Sequence, residues 1–405
     1  MMMRLRAAIV LVTDRDLLTF LAIRVGMWIL VAFTLLWAPL RSEDAIPPFR
    51  AYNGLTDLLF TTFAQWDSVW FIHLADFGYD SREITAFFPL YPLVVAGVSA
   101  VTGSTIVAGV LVSLAAGAAA VLVLKRLAGT VLSREGQRDT ILLLALFPIG
   151  YVFTASYSDA MFLALASGSF LAARRQRALL AGVLGALAVG TRVMGLALIP
   201  ALIVLLWPSR WALREVARLA AVLLLPLALG GYALYLDHRF DDATVFLDAQ
   251  GGEQWNRDLS AVGPLSGMWE GASHAWHGSI EIVRHLPRSQ NYPTGYENLE
   301  IWALWNVAHF ALLLVAVALT WIAWRRLGPA FGIYSVGVLA ISLSAPADFV
   351  PLVSLPRFLL ADFPIVITLA GLLENRPRAR AAVFLLFAVT GTAAAVAFSR
   401  EIWVA

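Results

Sequence analysis

The 405-residue chain is 60% hydrophobic and only 14% charged, with a mean hydropathy of +0.78. A soluble domain carries roughly a quarter charged residues, so this balance and the repeated long apolar runs predict an all-α polytopic membrane protein; a transmembrane β-barrel would show short alternating segments instead. Cysteine is absent, which excludes disulfides, thiolate metal sites and cysteine nucleophiles.

Hydropathy predicts about eleven spans, in chain order Leu17–Pro39, Thr105–Leu124, Thr140–Phe153, Ala160–Ala173, Leu179–Val189, Val193–Trp207, Val216–Leu236, Ile301–Trp324, Ala330–Ser344, Phe358–Leu373 and Ala381–Phe398. The first apolar run is too long for a signal-peptide core and lacks a small-residue cleavage site, so it reads as a retained helix. The four spans between residues 140 and 207 are short and are expected to extend into polar flanks or to tilt.

The net charge of +2 conceals an asymmetry. One set of connectors holds Arg4, Arg6, Arg15, Lys125, Arg126, Arg134, Arg138, Arg174, Arg175, Arg177, Arg210, Arg214, Arg218, Arg325, Arg326, Arg376, Arg378 and Arg380, against six acidic residues. The opposite set is acidic. The positive-inside rule therefore places the N-terminus in the cytoplasm and the C-terminus outside. Counting Phe87–Val101 as a span would put Lys125 and Arg126 outside, so this apolar stretch reads as a helix lying along the outer surface or only partly inserted. The whole of residues 1–405 is then one integral membrane domain. Two large external loops, 40–104 and 237–300, are rich in Trp, Tyr, Asp, Gly and His and carry juxtamembrane helices. Aromatics suit the interface, and long structured loops commonly carry function.

Within these loops, Asp67 is the leading candidate for chemistry, as a general base next to aromatic residues. A helix cap or a plain surface carboxylate is the competing explanation. Trp66 and Trp70, four residues apart, would share a helical face and form a platform for a sugar ring. Asp76 and Asp80 are secondary candidates. Ser156-Tyr157-Ser158-Asp159 lies at the outer junction of two short spans, where a carboxylate signals function or caps the following helix. Arg192 and Arg357 lie at outer ends of apolar helices. There an arginine clamps a phosphate or reaches toward lipid headgroups. Arg24, inside the first span, is expected to pair with a carboxylate. His274, His277 and Glu281 would share a helix face, but no H-E-x-x-H motif is present and surface polarity is the simpler account. Gly182, Gly185, Gly190 and Gly195 suggest close helix packing. No P-loop, dinucleotide fingerprint or basic nucleic-acid patch occurs.

Taken together, Gln65-Trp66-Asp67, Ala75-Asp76-Phe77-Gly78-Tyr79, Ala86-Phe87-Phe88-Pro89-Leu90-Tyr91-Pro92, Tyr157-Ser158-Asp159, Thr191-Arg192-Val193-Met194-Gly195 and Pro356-Arg357-Phe358 resemble the PIG-V family of GT-C-fold mannosyltransferases. Asp159 departs from the family's usual Glu, and Phe358 from a frequent Tyr. The resemblance implies a polyprenyl-phosphate-linked donor, typically of mannose, and inverting transfer on the non-cytoplasmic face. The acceptor would be a glycolipid or another glycan. It maps the family's acidic residue onto Asp67. Arg357 would be the leading phosphate ligand and Arg192 the second; Trp66, Trp70, His73, Tyr91, Tyr157 and Asp159 would line the sugar and acceptor site. The arginine-rich composition points to a bacterial inner membrane. No metal is expected, because no dense carboxylate cluster surrounds Asp67. A lipid-linked glycan transporter or flippase is the alternative, as is a GT-C transferase of another sugar. A transporter should show paired repeats with broken helices at the bilayer midplane, and the sequence offers none.

Overall fold

The computed structural model describes residues 14–37, 55–210, 212–251, 257, 259–285, 299–400 and 404. Parts of both expected external loops, and Arg4 and Arg6, lie outside them. The regular elements among the described residues are helices: α1 (Arg15–Trp37), α2 (Leu55–Phe60), α3 (Asp67–Phe77), α4 (Leu90–Thr102), α5 (Thr105–Ala128), α6 (Arg134–Ala145), α7 (Asp159–Arg174), α8 (Ala178–Thr191), α9 (Leu198–Leu206), α10 (Leu213–Leu219), α11 (Leu224–Phe240), α12 (Val245–Asp248), α13 (Pro264–His285), α14 (Leu299–Arg326), α15 (Pro329–Leu343), α16 (Leu355–Ala361), α17 (Phe363–Leu373) and α18 (Pro377–Ser399). One isolated antiparallel bridge joins Arg257 to Ala347.

Among the described residues, five helical stretches are long and apolar enough to cross a bilayer: Arg15–Leu36, Thr105–Ala128, Glu215–Phe240, Trp302–Arg326 and Pro377–Ser399. A sixth is the bent pair α16 and α17. The protein is thus an all-α polytopic membrane protein in which several expected spans are short helices. With 13 residues, α4 reaches only roughly 20 Å, too little to cross a hydrocarbon core of about 30 Å alone.

Two expected spans are interrupted, each beside a proline. Thr140–Phe153 is not one helix: α6 stops at Ala145, and a 3-10 turn covers Gly150–Phe153. Pro148 drives the preceding residue out of helical geometry. Arg24 occupies this break, donating to the carbonyls of Ala145 and Gly150. The carboxylate partner expected for Arg24 is therefore replaced by backbone carbonyls that the broken ladder leaves open. Likewise Phe358–Leu373 is split at Asp362, where α16 and α17 meet at 80°. Pro364 cannot continue a helix from Leu360 but fits the first turn of α17. This is a broken helix the sequence reading did not anticipate. Two neighbouring residues of α15 secure it, Tyr334 donating to the Ala361 carbonyl at 3.1 Å and Ser335 to Asp362 Oδ1 at 2.6 Å.

The main core joins α1, α5, α6, α7, α8, α9 and α15. Close approach at glycine holds part of it: a Cβ at Gly195 would fall 2.6 Å from the Val189 nitrogen, and one at Gly185 2.8 Å from Leu225 Cδ1. A second aromatic cluster fastens the chain after α3 to α11, where Tyr232 donates to the Thr85 carbonyl at 2.7 Å and Arg82 to the Phe240 carbonyl at 2.7 Å. Tyr79 donates to the Phe87 carbonyl at 2.6 Å, fixing the Phe87-Phe88-Pro89 turn. At the opposite helix ends Lys125 bridges Asp14 at 2.8 Å and Asp16 at 2.5 Å, and Arg380 pairs with Glu135.

Candidate active site

A cavity of about 600 Å³ opens among the start of α3, the end of α8, the end of α15, the start of α16 and residues 250 and 257. It lies at the helix ends remote from the Lys125, Arg175, Arg325 and Arg376 connectors. Its size suits a small-molecule site. Phe71, Phe87 and Phe88 line it from the second aromatic cluster, and Trp302, Trp305, Phe349, Val350 and Val353 form another part of its wall.

Four of the expected residues converge here. Asp67 is the first residue of α3, one position after the N-cap residue Trp66, so it does not occupy the capping position. Instead it pairs with Arg357 Nη1 and keeps 24% of its side chain exposed. Asp159 opens α7 and is buried, with 2% exposure. Arg357 Nε donates to its two oxygens at 3.1 and 3.0 Å, and Arg192 Nη1 pairs with Oδ1. Asp159 thus sits at a helix N-terminus and Arg192 just past the end of α8, both signs favoured by the helix dipoles. The Arg357 guanidinium also lies 4.5 Å from the centroid of the buried Tyr157 ring. Removing either partner from such a buried cluster costs far more than removing an exposed pair, because the remaining charge is stranded. The arrangement therefore fixes each group's position tightly.

The other expected residues lie elsewhere. Trp66 precedes α3 at φ +57°, outside the helical register, so it does not share a face with Trp70. Trp66 packs against the main core and Trp70 against the second cluster, stacked on Phe87 at 6.3 Å. Tyr91 is fully buried, its hydroxyl 3.0 Å from the Gly109 carbonyl and 2.8 Å from Ser113 Oγ, so it supports the wall without lining it. His73 pairs with Asp80 at 2.7 Å on the surface, and that hydrogen bond holds the Asp80 carboxyl below its ordinary range. Asp76 accepts from Thr105 at 2.5 Å. His274 and His277 each turn Nδ1 to a carbonyl of α13, and no group of three metal-ligating side chains occurs among the described residues.

Sequence reasoning missed Arg257. It is 8% exposed, lines the cavity and lies with its guanidinium 5.6 Å from the Phe358 ring centroid. The bridge to Ala347 and a 2.9 Å bond from its nitrogen to the Gln250 carbonyl hold its backbone. Burial lowers its pKa to about 10, which leaves it cationic at neutral pH. An arginine in a polar loop carries no distinguishing signal in the sequence. The wall from Trp302 to Val353 was missed for the same reason, since apolar residues there read simply as span and interface.

The family model described as Mannosyltransferase (PIG-V) matches residues 9–219. That stretch contains Asp67, Asp159 and Arg192; Arg257, Arg357 and the Trp302 wall lie beyond it. No curated protein and no solved structure matches the chain.

Proposed function

This chain belongs to the PIG-V mannosyltransferase family, and we propose that its cavity moves a mannosyl group from a polyprenyl-phosphate carrier to a hydroxyl of a glycolipid or glycan acceptor, with inversion, on the non-cytoplasmic face. As a member it is a glycosyltransferase of the membrane. The observation carrying the finer reading is the junction of Asp67 with Arg357 in a cavity lined by aromatic and aliphatic side chains.

Transfer from such a donor needs three things: a base for the acceptor hydroxyl, a fixed in-line geometry and compensation of charge on the departing phosphate. Asp67 is the partly exposed carboxylate and takes the proton. Arg357, braced by Asp159 and by the Tyr157 ring, reaches the phosphate, with Arg192 behind it. Phe71, Phe87 and Phe88 border the sugar. Trp302, Phe349 and Val353 offer the prenyl chain an apolar exit. Transfer needs no metal in this scheme, because arginines engage both carboxylates. The basic connectors at the far helix ends support an outward-facing cavity, and the composition suits a bacterial inner membrane.

The test uses purified protein in lipid nanodiscs with radiolabelled polyprenyl-phosphate mannose and a membrane-lipid extract as the acceptor pool. Label passing to a new product with the wild type and not with Asp67→Asn supports the reading. A wild type that binds the donor yet transfers nothing to any acceptor or to water overturns it.

A further inference from the structure

Asp362 is a carboxyl group that the reaction scheme leaves unused. It is wholly buried, at the break inside the bent apolar pair α16 and α17. An ionisable group within a membrane-spanning segment is by default a sign of function. Capping does not account for it: Asp362 holds the N-cap position of α17, yet its side chain makes no cap hydrogen bond. Oδ1 accepts from the Ser335 hydroxyl at 2.6 Å, and Oδ2 has no hydrogen-bond partner among the described residues. Net stability does not account for it either. One hydrogen bond contributes only about 1 kcal/mol, less than it costs to bury a carboxyl group with an oxygen left unpaired. What the bond does is tie the break to α15. Tyr334, next to Ser335, donates to the Ala361 carbonyl and stacks on Phe363 with ring centroids 4.7 Å apart. Phe170 of α7 meets Phe363 edge-on at 5.4 Å. Helix α7 begins with Asp159 and α16 carries Arg357, so the two elements whose charges meet in the cavity are fastened together about three turns along α7 from Asp159.

We infer that Asp362 and Ser335 are positioning residues for Arg357: their hydrogen bond fixes the angle at which α16 meets α17, and that angle decides whether one guanidinium can reach Asp67 and Asp159 together. The inference rests on Arg357 serving the reaction proposed above. Helix α16 has only seven residues, too few to hold a direction without tertiary support. Its direction therefore comes from the break. A helix continued through Asp362 would run in line with α17 instead of crossing it at 80°. Arg357 precedes Asp362 by five residues, roughly 7 Å along the helix. A swing of about 10° at the break moves its Cα by roughly 1 Å, and a misplacement of that size costs about 10²-fold in rate. The contacts of Arg357 leave little tolerance for such a swing. Its Nε lies 3.1 and 3.0 Å from the two oxygens of Asp159, its Nη1 pairs with Asp67, and its guanidinium lies over the Tyr157 ring.

The experiment compares wild type, Ser335→Ala, Asp362→Leu and Asp362→Asn as full chains in nanodiscs. It reads two quantities: kcat for transfer from polyprenyl-phosphate mannose, and the rate at which phenylglyoxal labels Arg357 in the ligand-free protein, by peptide mass. Arg24, buried at a different break, is the internal control for general loosening. Ser335→Ala and Asp362→Leu are expected to lower kcat by about tenfold to a hundredfold and to speed labelling of Arg357, with Arg24 as protected as in the wild type. Asp362→Asn keeps an oxygen for the Ser335 hydroxyl and should recover most of both losses. Wild-type kcat and wild-type labelling of Arg357 in Ser335→Ala and Asp362→Leu overturn the inference. So does Arg24 becoming reactive together with Arg357 in Ser335→Ala, the smallest of the changes, because the bond would then serve the fold alone. Asp362→Asn as impaired as Asp362→Leu overturns the hydrogen bond as the cause. The labelling arm needs no turnover, so it separates this inference from the proposed reaction. Faster labelling of Arg357 in a protein whose wild type transfers nothing supports the positioning of Arg357 and overturns the reaction assigned to it.

Discussion

Arg357 and Asp67, 290 residues apart in the chain, meet in one ion pair on the cavity wall. The proposed base and the proposed phosphate ligand are thus each other's partners. When a donor phosphate draws Arg357 toward itself, Asp67 is released to serve the acceptor hydroxyl. Release of the base is in this way tied to arrival of the donor.

Asp67→Asn removes the base and keeps the shape. Loss of a positioned general base costs about 10²–10⁴-fold in rate. Transfer is expected to fall in that range with the donor Kd unchanged or lower, because Arg357 no longer answers to a second anion. Donor binding lost in parallel with turnover would assign Asp67 to binding instead.

Asp159 stabilises two arginines, so its removal is a folding lesion as well as a functional one. Asp159→Ala is expected to cost about 3–5 kcal/mol through stranded buried charge, read as a lower Tm in detergent. Asp159→Glu keeps the charge and should retain most of the stability and measurable transfer. An alanine variant as stable as the wild type would mean that the cluster does not bear on the fold.

Tyr91 separates wall from lining. Because its hydroxyl is satisfied inside the protein by Gly109 and Ser113, Tyr91→Phe should lower stability by about 1 kcal/mol and leave the donor and acceptor KM unchanged. A raised KM with unaltered Tm would place the hydroxyl against substrate.

Chelation offers a different check. Arginines already engage both cavity carboxylates, so transfer is expected to persist after treatment with EDTA and dialysis. Activity lost to chelation and restored by a divalent cation would require one of these carboxylates to leave its arginine.

Asp67, Asp159, Arg192 and Arg357 were legible in the sequence because a charge within apolar or aromatic surroundings is expensive and is rarely kept without use. What one strand of text could not show was that a single carboxylate, Asp159, serves both arginines, since those contacts span α7, α8 and α16. Tyr91 was misplaced because an aromatic at an interface and one in a core look alike until packing is known. Trp66 was misplaced because its positive φ breaks the helical period just before α3 begins. Pro148 and Pro364 mark the broken helices, but each sits inside a largely apolar run that reads as one short span.

Arg24 bears on how the protein is made. It is synthesised 121 residues before Ala145 and 126 before Gly150, the residues whose carbonyls receive it. An arginine near the centre of a membrane helix costs about 2.5–3.5 kcal/mol on insertion scales. Helix α1 therefore enters the lipid carrying an unanswered charge, and waits there while the ribosome adds the five described helices α2 to α6 and the broken turn that follows them. Maturation of the bundle amounts to the rescue of that waiting helix, so a nascent chain stalled before Ala145 still carries the cation without its carbonyl partners.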